Sequence, residues 1–204
     1  MPTISAITNK SIYILRHGQT RFNAEGRLQG HCDSPLTAKG EAQAAAMGQA
    51  LQAQQLDMSQ WQLIASPLGR ARQTAAIVAS QLGLAADAIQ TDARVMECHL
   101  GQWEQQEIPP LFAAEPTLQQ RGDWYLQAPG AETLQQVQTR LHQWLTDTPA
   151  SHIILISHGL TGVILRGLLL GLNDSELWQQ DKPQDALYYF HGGQLQRIST
   201  VDFV

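Results

Sequence analysis

The chain has 204 residues, of which 43% are hydrophobic and 15% are charged, so it can bury the core of an α/β domain and is not a disordered tail. Its formal net charge of −5 argues against the broad basic surface of a nucleic-acid-binding protein, although a local anion site is compatible with it. Two cysteines are too few for a disulfide framework, and we expect a cytoplasmic protein.

Two segments bear on targeting. Residues 1–9 are polar and lack the basic and apolar regions of a signal peptide. Residues 153–172 are long and apolar enough to resemble a membrane span, but Ser157, His158 and Arg166 interrupt them. We therefore expect no membrane association and interpret this second segment as a buried strand followed by a buried helix.

The predicted elements alternate between strands and helices along the chain. Apolar, β-rich runs predict the strands, and segments with capping residues predict the helices between them. The predicted strands cover residues 11–15, 63–65 and 152–156, and the predicted helices cover residues 38–55, 67–82, 132–146 and 160–170. Thr37 and Ser66 are the expected N-caps of the first two helices, with Pro67 at the first position of the second.

Two further segments complete the predicted organisation. Residues 188–190 and 194–198 flank Gly192-Gly193 and predict a terminal hairpin. Residues 94–131 show little periodicity, and we expect them to form an excursion over the edge of the sheet, or a lid. The alternation of strands and helices predicts an α/β fold: a single three-layer αβα domain over residues 1–204 with a mainly parallel central sheet.

Two of the predicted strands end in the same dipeptide. The first runs into Arg16-His17-Gly18 and the third into Ser157-His158-Gly159. Ligands of open α/β sheets bind outside the carboxyl ends of the strands, so both histidines lie where a site is expected. A glycine after each histidine allows a sharp turn and lets a ligand approach backbone N–H groups. Either pair alone also fits a simple helix-entry turn, but together they favour one shared site.

A third strand end adds a cation. Arg70 lies about one turn into the helix that follows the strand at residues 63–65. Because helical side chains lean toward the N-terminus, its guanidinium can reach over the end of the strand. Arg72, two positions further on, points elsewhere, and we interpret it as a surface residue.

Seven short motifs occur in a fixed order between residues 12 and 159. They are RHGQTRFN at residues 16–23, GHCDSPLTAKG at 30–40, SPLGRARQTA at 66–75, DARVME at 92–97, GQWE at 101–104, PGAET at 129–133 and SHG at 157–159. In this order they resemble the motifs of the histidine phosphatase superfamily, the phosphoglycerate mutase-like proteins. The chain departs from the usual pattern at Gln105, where many members have glycine, and at Cys98-His99.

The resemblance implies phosphoryl transfer through a phosphohistidine formed on His17. A neutral imidazole can attack phosphorus in line, provided that an acceptor holds the proton of its other nitrogen. A phosphoryl group in transfer spreads charge over its equatorial oxygens, and Arg16, Arg70 and His158 are expected to form the positive clamp around it. Because these side chains supply the charge, we expect neither a metal nor another cofactor.

Four further residues are candidates for binding the phosphate or the rest of the substrate. Asn23 and Thr20 are plausible neutral donors, and Gln19 is a weaker one. Gly159 offers backbone that a ligand can approach closely.

The resemblance assigns the proton transfers to Glu97. As an acid it protonates the leaving alkoxide, and as a carboxylate it then activates the water that hydrolyses the phosphohistidine. A bound phosphate and partial burial both favour the protonated acid. Glu104 is the rival candidate for the acid, but the resemblance assigns it a structural role. The non-catalytic alternative for Glu97 is an ion pair with Arg94.

Two other patterns carry less weight. His31-Cys32-Asp33 contains metal-binding residue types, but no second cluster has a companion spacing. Phe112, Trp124 and Tyr125 could line a substrate cleft, although aromatic residues at this spacing more often pack in a core.

The leading hypothesis is a metal-independent phosphomonoesterase that acts on a small phosphorylated metabolite. A phosphoglycerate mutase is the first alternative, but the chain is short for that activity and shows no extra basic cluster for a second phosphate. The second alternative is a non-catalytic module that binds a phosphorylated ligand, which would typically have lost the nucleophile or the acid. The sequence leaves the substrate and the oligomeric state open.

Overall fold

The computed structural model describes residues 9–203, and the prediction that residues 1–9 form no signal peptide falls almost wholly outside that range. A six-stranded sheet forms the centre, with the strand order β3-β2-β4-β1-β5-β6. The strands are β1 Ser11–Arg16, β2 Gln62–Ala65, β3 Ile89–Thr91, β4 His152–Ser157, β5 Ala186–His191 and β6 Gln194–Ser199. The strands β3, β2, β4 and β1 are parallel, whereas β5 and β6 form the predicted hairpin and run antiparallel.

Seven α-helices connect and cover the strands in the described part of the chain. They are α1 Arg21–Ala24, α2 Ala38–Gln52, α3 Gly69–Gln81, α4 Ile108–Ala114, α5 Leu134–Asp147, α6 Gly159–Leu170 and α7 Asp174–Gln179. Thr37 caps α2 as predicted, because its side chain accepts from the N–H of Gly40. No helix within residues 9–203 is both long and apolar enough to cross a membrane.

Alternate side chains of β1 serve two separate cores, one on each face of the sheet. Ile12 and Ile14 pack into the cluster that contains buried residues of α5 and α6. Tyr13 and Leu15 pack into the cluster that contains buried residues of α2 and α3. Because successive side chains of a strand point to opposite faces, this division confirms the three-layer αβα architecture.

Three predicted helix boundaries are wrong by two or three residues, and one of them is the start of α5, which is Leu134 rather than residue 132. The helix α3 begins at Gly69 rather than Pro67, and its N-cap is Leu68, which makes no side-chain capping bond. Ser66 therefore caps no helix, and the Asp33 carboxylate instead accepts from the backbone N–H groups of Gly69 and Arg70. The helix α2 ends three residues earlier than predicted, and Gln55 beyond it has a φ of +53°.

Residues 94–131 are more structured than their sequence indicates. They contain α4 and three short 3-10 helices, at Gly101–Trp103, Pro116–Gln120 and Trp124–Gln127. Leu118 and Trp124 are buried in the core on the α5/α6 face, so this excursion packs against the domain.

Candidate active site

The carboxyl ends of β1 and β4 bring the two predicted histidines together. The strands are parallel neighbours in which Arg16 pairs with Ser157, so His17 and His158 leave the sheet side by side. Their ring centroids are 5.2 Å apart, and both side chains are buried. The repeated His-Gly motif therefore places two buried histidines side by side, at the strand ends where the sequence predicts a site.

His17 is fixed in the tautomer that a nucleophile needs. Its Nδ1 lies 2.8 Å from the carbonyl oxygen of Gly18, which can only accept, so Nδ1 carries the proton. Its Nε2 accepts from Nε of Arg70 at 3.2 Å and therefore presents a lone pair. Burial, followed by the charges of Arg70 and Arg16, lowers the pKa of His17 well below its ordinary value of 6.5. The imidazole is neutral at physiological pH.

Arg70 is held over His17 by backbone carbonyls and one carboxylate. Its Nη2 donates to the carbonyl of Gly30 at 2.8 Å, and its Nη1 donates to the carbonyl of Cys32 at 2.9 Å and to Asp33 at 3.2 Å. The side chain is only 1% exposed, although it lies in the first turn of α3. The motif at residues 30–40 therefore supplies the cradle that positions this cation.

His158 is anchored through one ring nitrogen, and it lies beside His17 without lining the cleft described below. Its Nε2 lies 2.7 Å from the hydroxyl of Ser66, while its buried Nδ1 has no hydrogen-bond partner within residues 9–203. Burial lowers the pKa of His158 well below 6.5, and the nearby Arg70 adds to this effect. His158 is thus a neutral ring with one unused polar atom beside His17.

Arg16 approaches the start of α6 closely. Its Nη1 donates to the carbonyl oxygen of Lys182, and its buried Nε makes no hydrogen bond within the described residues. A Cβ at Gly159 would lie 3.3 Å from this Nε, tighter than an ordinary contact, so glycine leaves room for the guanidinium.

Glu97 lies at the N-terminus of α6 and not beside Arg94. Its Oε1 accepts from the N–H groups of Cys98 and Thr161, both at 3.0 Å. The Thr161 hydroxyl lies 3.1 Å from the same oxygen and donates its one proton to the carbonyl of Met96 at 2.7 Å. Its Oε2 accepts from the N–H of Leu160 alone, at 3.2 Å. The alternative ion pair does not form, because Arg94 instead pairs with carboxylates at residues 92 and 147.

The rival acid, Glu104, is occupied elsewhere. Its carboxylate accepts from the N–H of His31 at 2.8 Å and from the N–H of Leu100 at 3.1 Å, and the thiol of Cys32 donates to it at 3.1 Å. These bonds tie the loop that cradles Arg70 to the start of the 94–131 excursion. The residue is absent from the walls of the cleft described below, which favours Glu97.

Of three predicted phosphate-binding residues, Asn23 lines the cleft, whereas Thr20 and Gln19 do not. Asn23 lines the cleft beside His17, and its Oδ1 accepts from the N–H of Thr20 at 3.2 Å. Thr20 is buried, and its hydroxyl caps α1 by accepting from the N–H of Asn23 at 3.1 Å. The side-chain oxygen of Gln19 accepts from the Thr37 hydroxyl at 2.9 Å. Thr20 and Gln19 therefore shape the loop, and neither lines the cleft.

These residues surround one cleft with a volume of about 610 Å³ that opens to solvent. Its walls combine the predicted catalytic residues with side chains from the rest of the chain. The predicted residues among them are Arg16, His17, Asn23, Arg70, Glu97 and Gly159. The others are Arg27, Leu28, Gln29, Gly30, Leu100, Ile108, Tyr125, Leu160 and Lys182.

Tyr125, Arg27 and Lys182 are the functional candidates that sequence reasoning missed or set aside. Of the three aromatic residues, Tyr125 reaches the cleft, while Trp124 stacks on it at 3.9 Å and Phe112 packs against Trp124 at 4.8 Å. Arg27 and Lys182 bring further positive charge into the cleft, although the sequence shows no extra basic cluster. Arg27 lies between two recognised motifs, but no sequence signal marks Lys182.

The comparisons with known proteins agree with this geometry. The family pattern of the histidine phosphatase superfamily (branch 1) matches residues 12–194. The "Probable phosphoglycerate mutase GpmB" of Salmonella choleraesuis is 36% identical over 168 residues, which cover 79% of this chain and 75% of that protein.

Solved structures show the same fold. A mycobacterial glucosyl-3-phosphoglycerate phosphatase is 26% identical with a TM-score of 0.75, over 93% of this chain and 98% of that one. The protein YhfR of Bacillus stearothermophilus is 28% identical with a TM-score of 0.74, over 92% and 94% of the two chains. The chain belongs to the histidine phosphatase superfamily.

Proposed function

We propose that the protein is a metal-independent phosphomonoesterase that hydrolyses a small phosphorylated metabolite through a phosphohistidine at His17. The observation that carries the proposal is the pair of contacts at His17, which place a proton on Nδ1 and a lone pair on Nε2. A ring in this state is a competent nucleophile at neutral pH. The cleft beside it is lined by cations, which favour a phosphate dianion.

In the first step, the Nε2 lone pair of His17 attacks phosphorus and the P–O bond to the substrate alcohol breaks. The leaving oxygen takes a proton from Glu97, so a neutral alcohol departs and the carboxylate remains. Because Oε1 of Glu97 accepts two backbone hydrogen bonds and Oε2 accepts one, Oε2 is the oxygen with the greater capacity to carry that proton. The contact between Arg70 and His17 opens to admit the phosphoryl group.

In the second step, water attacks the phosphohistidine. Glu97 takes a proton from this water as its oxygen bonds to phosphorus, and the P–N bond breaks to return neutral His17 and release phosphate. Throughout, the charge on the phosphoryl oxygens is stabilised by Arg16, Arg70 and the Nδ1 side of His158. The chain's own residues therefore supply a nucleophile, an acid and base, and the charge that stabilises the phosphoryl oxygens.

Two structures of one relative support a phosphatase. The mycobacterial glucosyl-3-phosphoglycerate phosphatase has been solved with VO3, and in another structure, 25% identical to this chain, with inorganic phosphate. Both ligands are tetrahedral or trigonal oxyanions of the kind that the cationic cleft favours. We infer that this chain uses its cleft in the same way.

A phosphoglycerate mutase is the second candidate, and it is favoured by the name of the Salmonella relative. The cleft gives the mutase a second argument, because Arg27 and Lys182 are basic groups in addition to those proposed to bind the transferred phosphoryl group. A mutase returns the phosphoryl group to a second hydroxyl, whereas a phosphatase passes it to water. The two reactions share the first step and differ in the second acceptor.

The test is phosphate release from p-nitrophenyl phosphate with chelator present. We expect His17→Ala to lose about 10³-fold or more in kcat, since the nucleophile is removed. His142→Ala, on the half-buried face of α5, is the matched control and retains activity. Enzyme that is denatured in detergent at alkaline pH should carry a phosphoryl label at residue 17 that is stable to base and labile to acid. Wild-type-like turnover by the His17 variant would refute the mechanism.

A second assay separates the two candidates. The enzyme is incubated with 3-phosphoglycerate and 2,3-bisphosphoglycerate, and the products are identified. Release of inorganic phosphate supports the phosphatase, whereas isomerisation without release supports the mutase.

We also infer a reducing, cytoplasmic compartment. Both cysteines of the chain, Cys32 and Cys98, are free thiols. Cys98 is buried, and its burial raises the pKa of the thiol well above the ordinary value, so it is unreactive.

A further inference from the structure

Residues 30–33 form a loop that contacts two of the proposed catalytic residues. Two of its backbone carbonyls and the Asp33 carboxylate accept from the Arg70 guanidinium. Nε2 of His31, in the same loop, lies 2.8 Å from the backbone carbonyl oxygen of Glu97. A carbonyl oxygen can only accept, so this Nε2 carries a proton and His31 is the donor. One loop therefore joins a proposed phosphate ligand to the proposed acid.

The backbone carbonyl of Glu97 receives a second hydrogen bond, from α5. Nη2 of Arg140 lies 3.3 Å from it, and the same guanidinium pairs with Glu132 at 3.0 Å. Hydrogen bonds weaken as they lengthen, so the contact with His31 is the stronger of the two. His31 thus supplies the main polar contact that fixes this peptide group.

The other end of Glu97 is held by the first turn of α6. The N–H groups of Leu160 and Thr161 donate to its carboxylate. N–H groups in the first turn of a helix have no partner within the helix, so these bonds depend on Glu97 itself. A shift of the Glu97 peptide would strain or break them. The place of the carboxylate therefore depends on what holds its backbone.

The donor is itself held in place. The N–H of His31 donates to the Glu104 carboxylate at 2.8 Å, and that carboxylate also accepts from the N–H of Leu100 at 3.1 Å. The ring of His99 packs edge to face on the His31 ring, with centroids 5.0 Å apart and planes at 79°. A partly buried ring with these contacts has little freedom to turn its N–H away from Glu97.

We propose that His31 is a positioning residue for Glu97, which keeps Oε2 in reach of the leaving oxygen and of the attacking water. The inference rests on the proposed phosphatase function and adds a residue that the reaction needs. His31 does not line the cleft, so it acts through Glu97 and does not touch the substrate. Proton transfer requires close placement of the acid, and small displacements of a catalytic group are costly.

The first test is His31→Phe, which keeps a planar ring against His99 and removes the donor. The rate of phosphohistidine formation is measured by rapid quench with glycerol 3-phosphate, whose alkoxide needs a proton, and with p-nitrophenyl phosphate, whose phenolate does not. We expect a loss of about 5- to 50-fold with glycerol 3-phosphate and of less than about twofold with p-nitrophenyl phosphate. The inhibition constant of inorganic phosphate should stay as in wild type, because Arg70 keeps its contacts with the loop.

Two variants accompany this substitution. His31→Gln offers an amide N–H at the same number of bonds from the backbone as Nε2, and it should restore most of the rate. His142→Phe, on the half-buried face of α5, should leave both rates unaltered. Equal losses for the two esters, or a parallel loss of phosphate inhibition, would overturn the proposal, because the loop would then act through Arg70. So would a His31→Gln enzyme no faster than His31→Phe.

Hydrogen exchange keeps this test separate from the reaction. The backbone N–H groups of Leu160 and Thr161 are protected by the Glu97 carboxylate, so their exchange reports its position. We expect both to exchange faster in His31→Phe and close to the wild-type rate in His31→Gln, even if wild type releases no phosphate. Unchanged exchange in His31→Phe would overturn the proposal. Faster exchange without a difference between the two esters would also overturn it, because the shift would not reach the proton transfer.

Discussion

The hydroxyl of Ser66 lies 2.7 Å from Nε2 of His158, at the point where β2 and β4 end. The same hydroxyl oxygen accepts from the N–H of Leu68 at 3.3 Å, so its own proton is available for the ring nitrogen. A ring that accepts at Nε2 carries its proton on Nδ1, which is the buried atom without a partner in the described structure. We infer that Ser66 donates to Nε2 and so selects the neutral tautomer of His158 that carries its proton on Nδ1.

We predict that Ser66→Ala lowers kcat/KM by about 10- to 100-fold, the usual cost of removing a group that orients a ligand-binding histidine. The physical reason is that the ring loses the contact that selects its tautomer. Steady-state assays measure the loss, and the ¹⁵N chemical shifts of the His158 ring report the tautomer. Ser59→Ala, in an exposed turn, serves as the control. An unchanged tautomer with reduced activity would assign Ser66 a packing role only.

Glu97→Gln should discriminate between good and poor leaving groups. An alkyl phosphate needs a proton on the leaving oxygen, so we expect a loss of about 10²- to 10⁴-fold in kcat. p-Nitrophenolate leaves without protonation, so formation of the phosphohistidine should continue with that substrate. Hydrolysis of the intermediate still needs a base, and the labelled enzyme should accumulate in rapid-quench experiments. Equal losses for both substrates in the first step would contradict the role of Glu97 as the acid.

Asp33 links the position of Arg70 to the stability of α3. Its carboxylate bonds to the Arg70 guanidinium and also accepts from the first N–H groups of the helix. We predict that Asp33→Ala costs about 1 kcal/mol of unfolding free energy through the lost cap. We also predict an increase of about fivefold in the inhibition constant of inorganic phosphate, which corresponds to one ordinary hydrogen bond.

The control is Asp33→Asn, which keeps an oxygen that can cap the helix and loses only the charge. Urea denaturation and competitive inhibition by phosphate measure the two effects. A stability loss without a change in phosphate affinity would show that the two carbonyl bonds alone position Arg70.

The residues that the sequence identifies are those whose position follows from local chain geometry. His17 and His158 directly follow strands, and Arg70 lies one turn into a helix, so the parallel sheet is enough to bring them together. Ser66 was misassigned because serine before proline at a helix start is also the pattern of an N-cap. The tertiary contact with His158 determines its role instead.

Lys182 and Gln184 could not be predicted, for a different reason. Their contacts with Arg16 and His17 join positions about 166 residues apart in the chain. The segment has no periodicity and precedes an antiparallel strand, so nothing local indicates which end of the sheet it reaches. Tyr125 is similar, since only the packing of the excursion determines which of three neighbouring aromatic side chains faces the cleft.

The two buried histidines should make the fold sensitive to acid. The pKa values of His17 and His158 both lie well below 6.5 in the folded protein, because burial and the neighbouring arginines disfavour the charged ring. In the unfolded chain both rings titrate near 6.5, so as the pH falls below that value the unfolded state binds protons that the folded state does not. Stability is therefore fully present above pH 6.5 and decreases below it. Each histidine contributes a loss of about 1.4 kcal/mol per pH unit in that range.

The measurement is the unfolding free energy in urea between pH 7.5 and pH 5.5. His158→Asn removes one of the titrating rings, so its stability should fall less steeply than that of wild type, by about 1 kcal/mol over this range. His17→Asn should behave in the same way, and the double variant should lose both contributions. Inorganic phosphate, which binds the folded protein, should raise the stability of wild type at every pH. Parallel pH profiles for wild type and His158→Asn would show that the buried ring takes up its proton without cost.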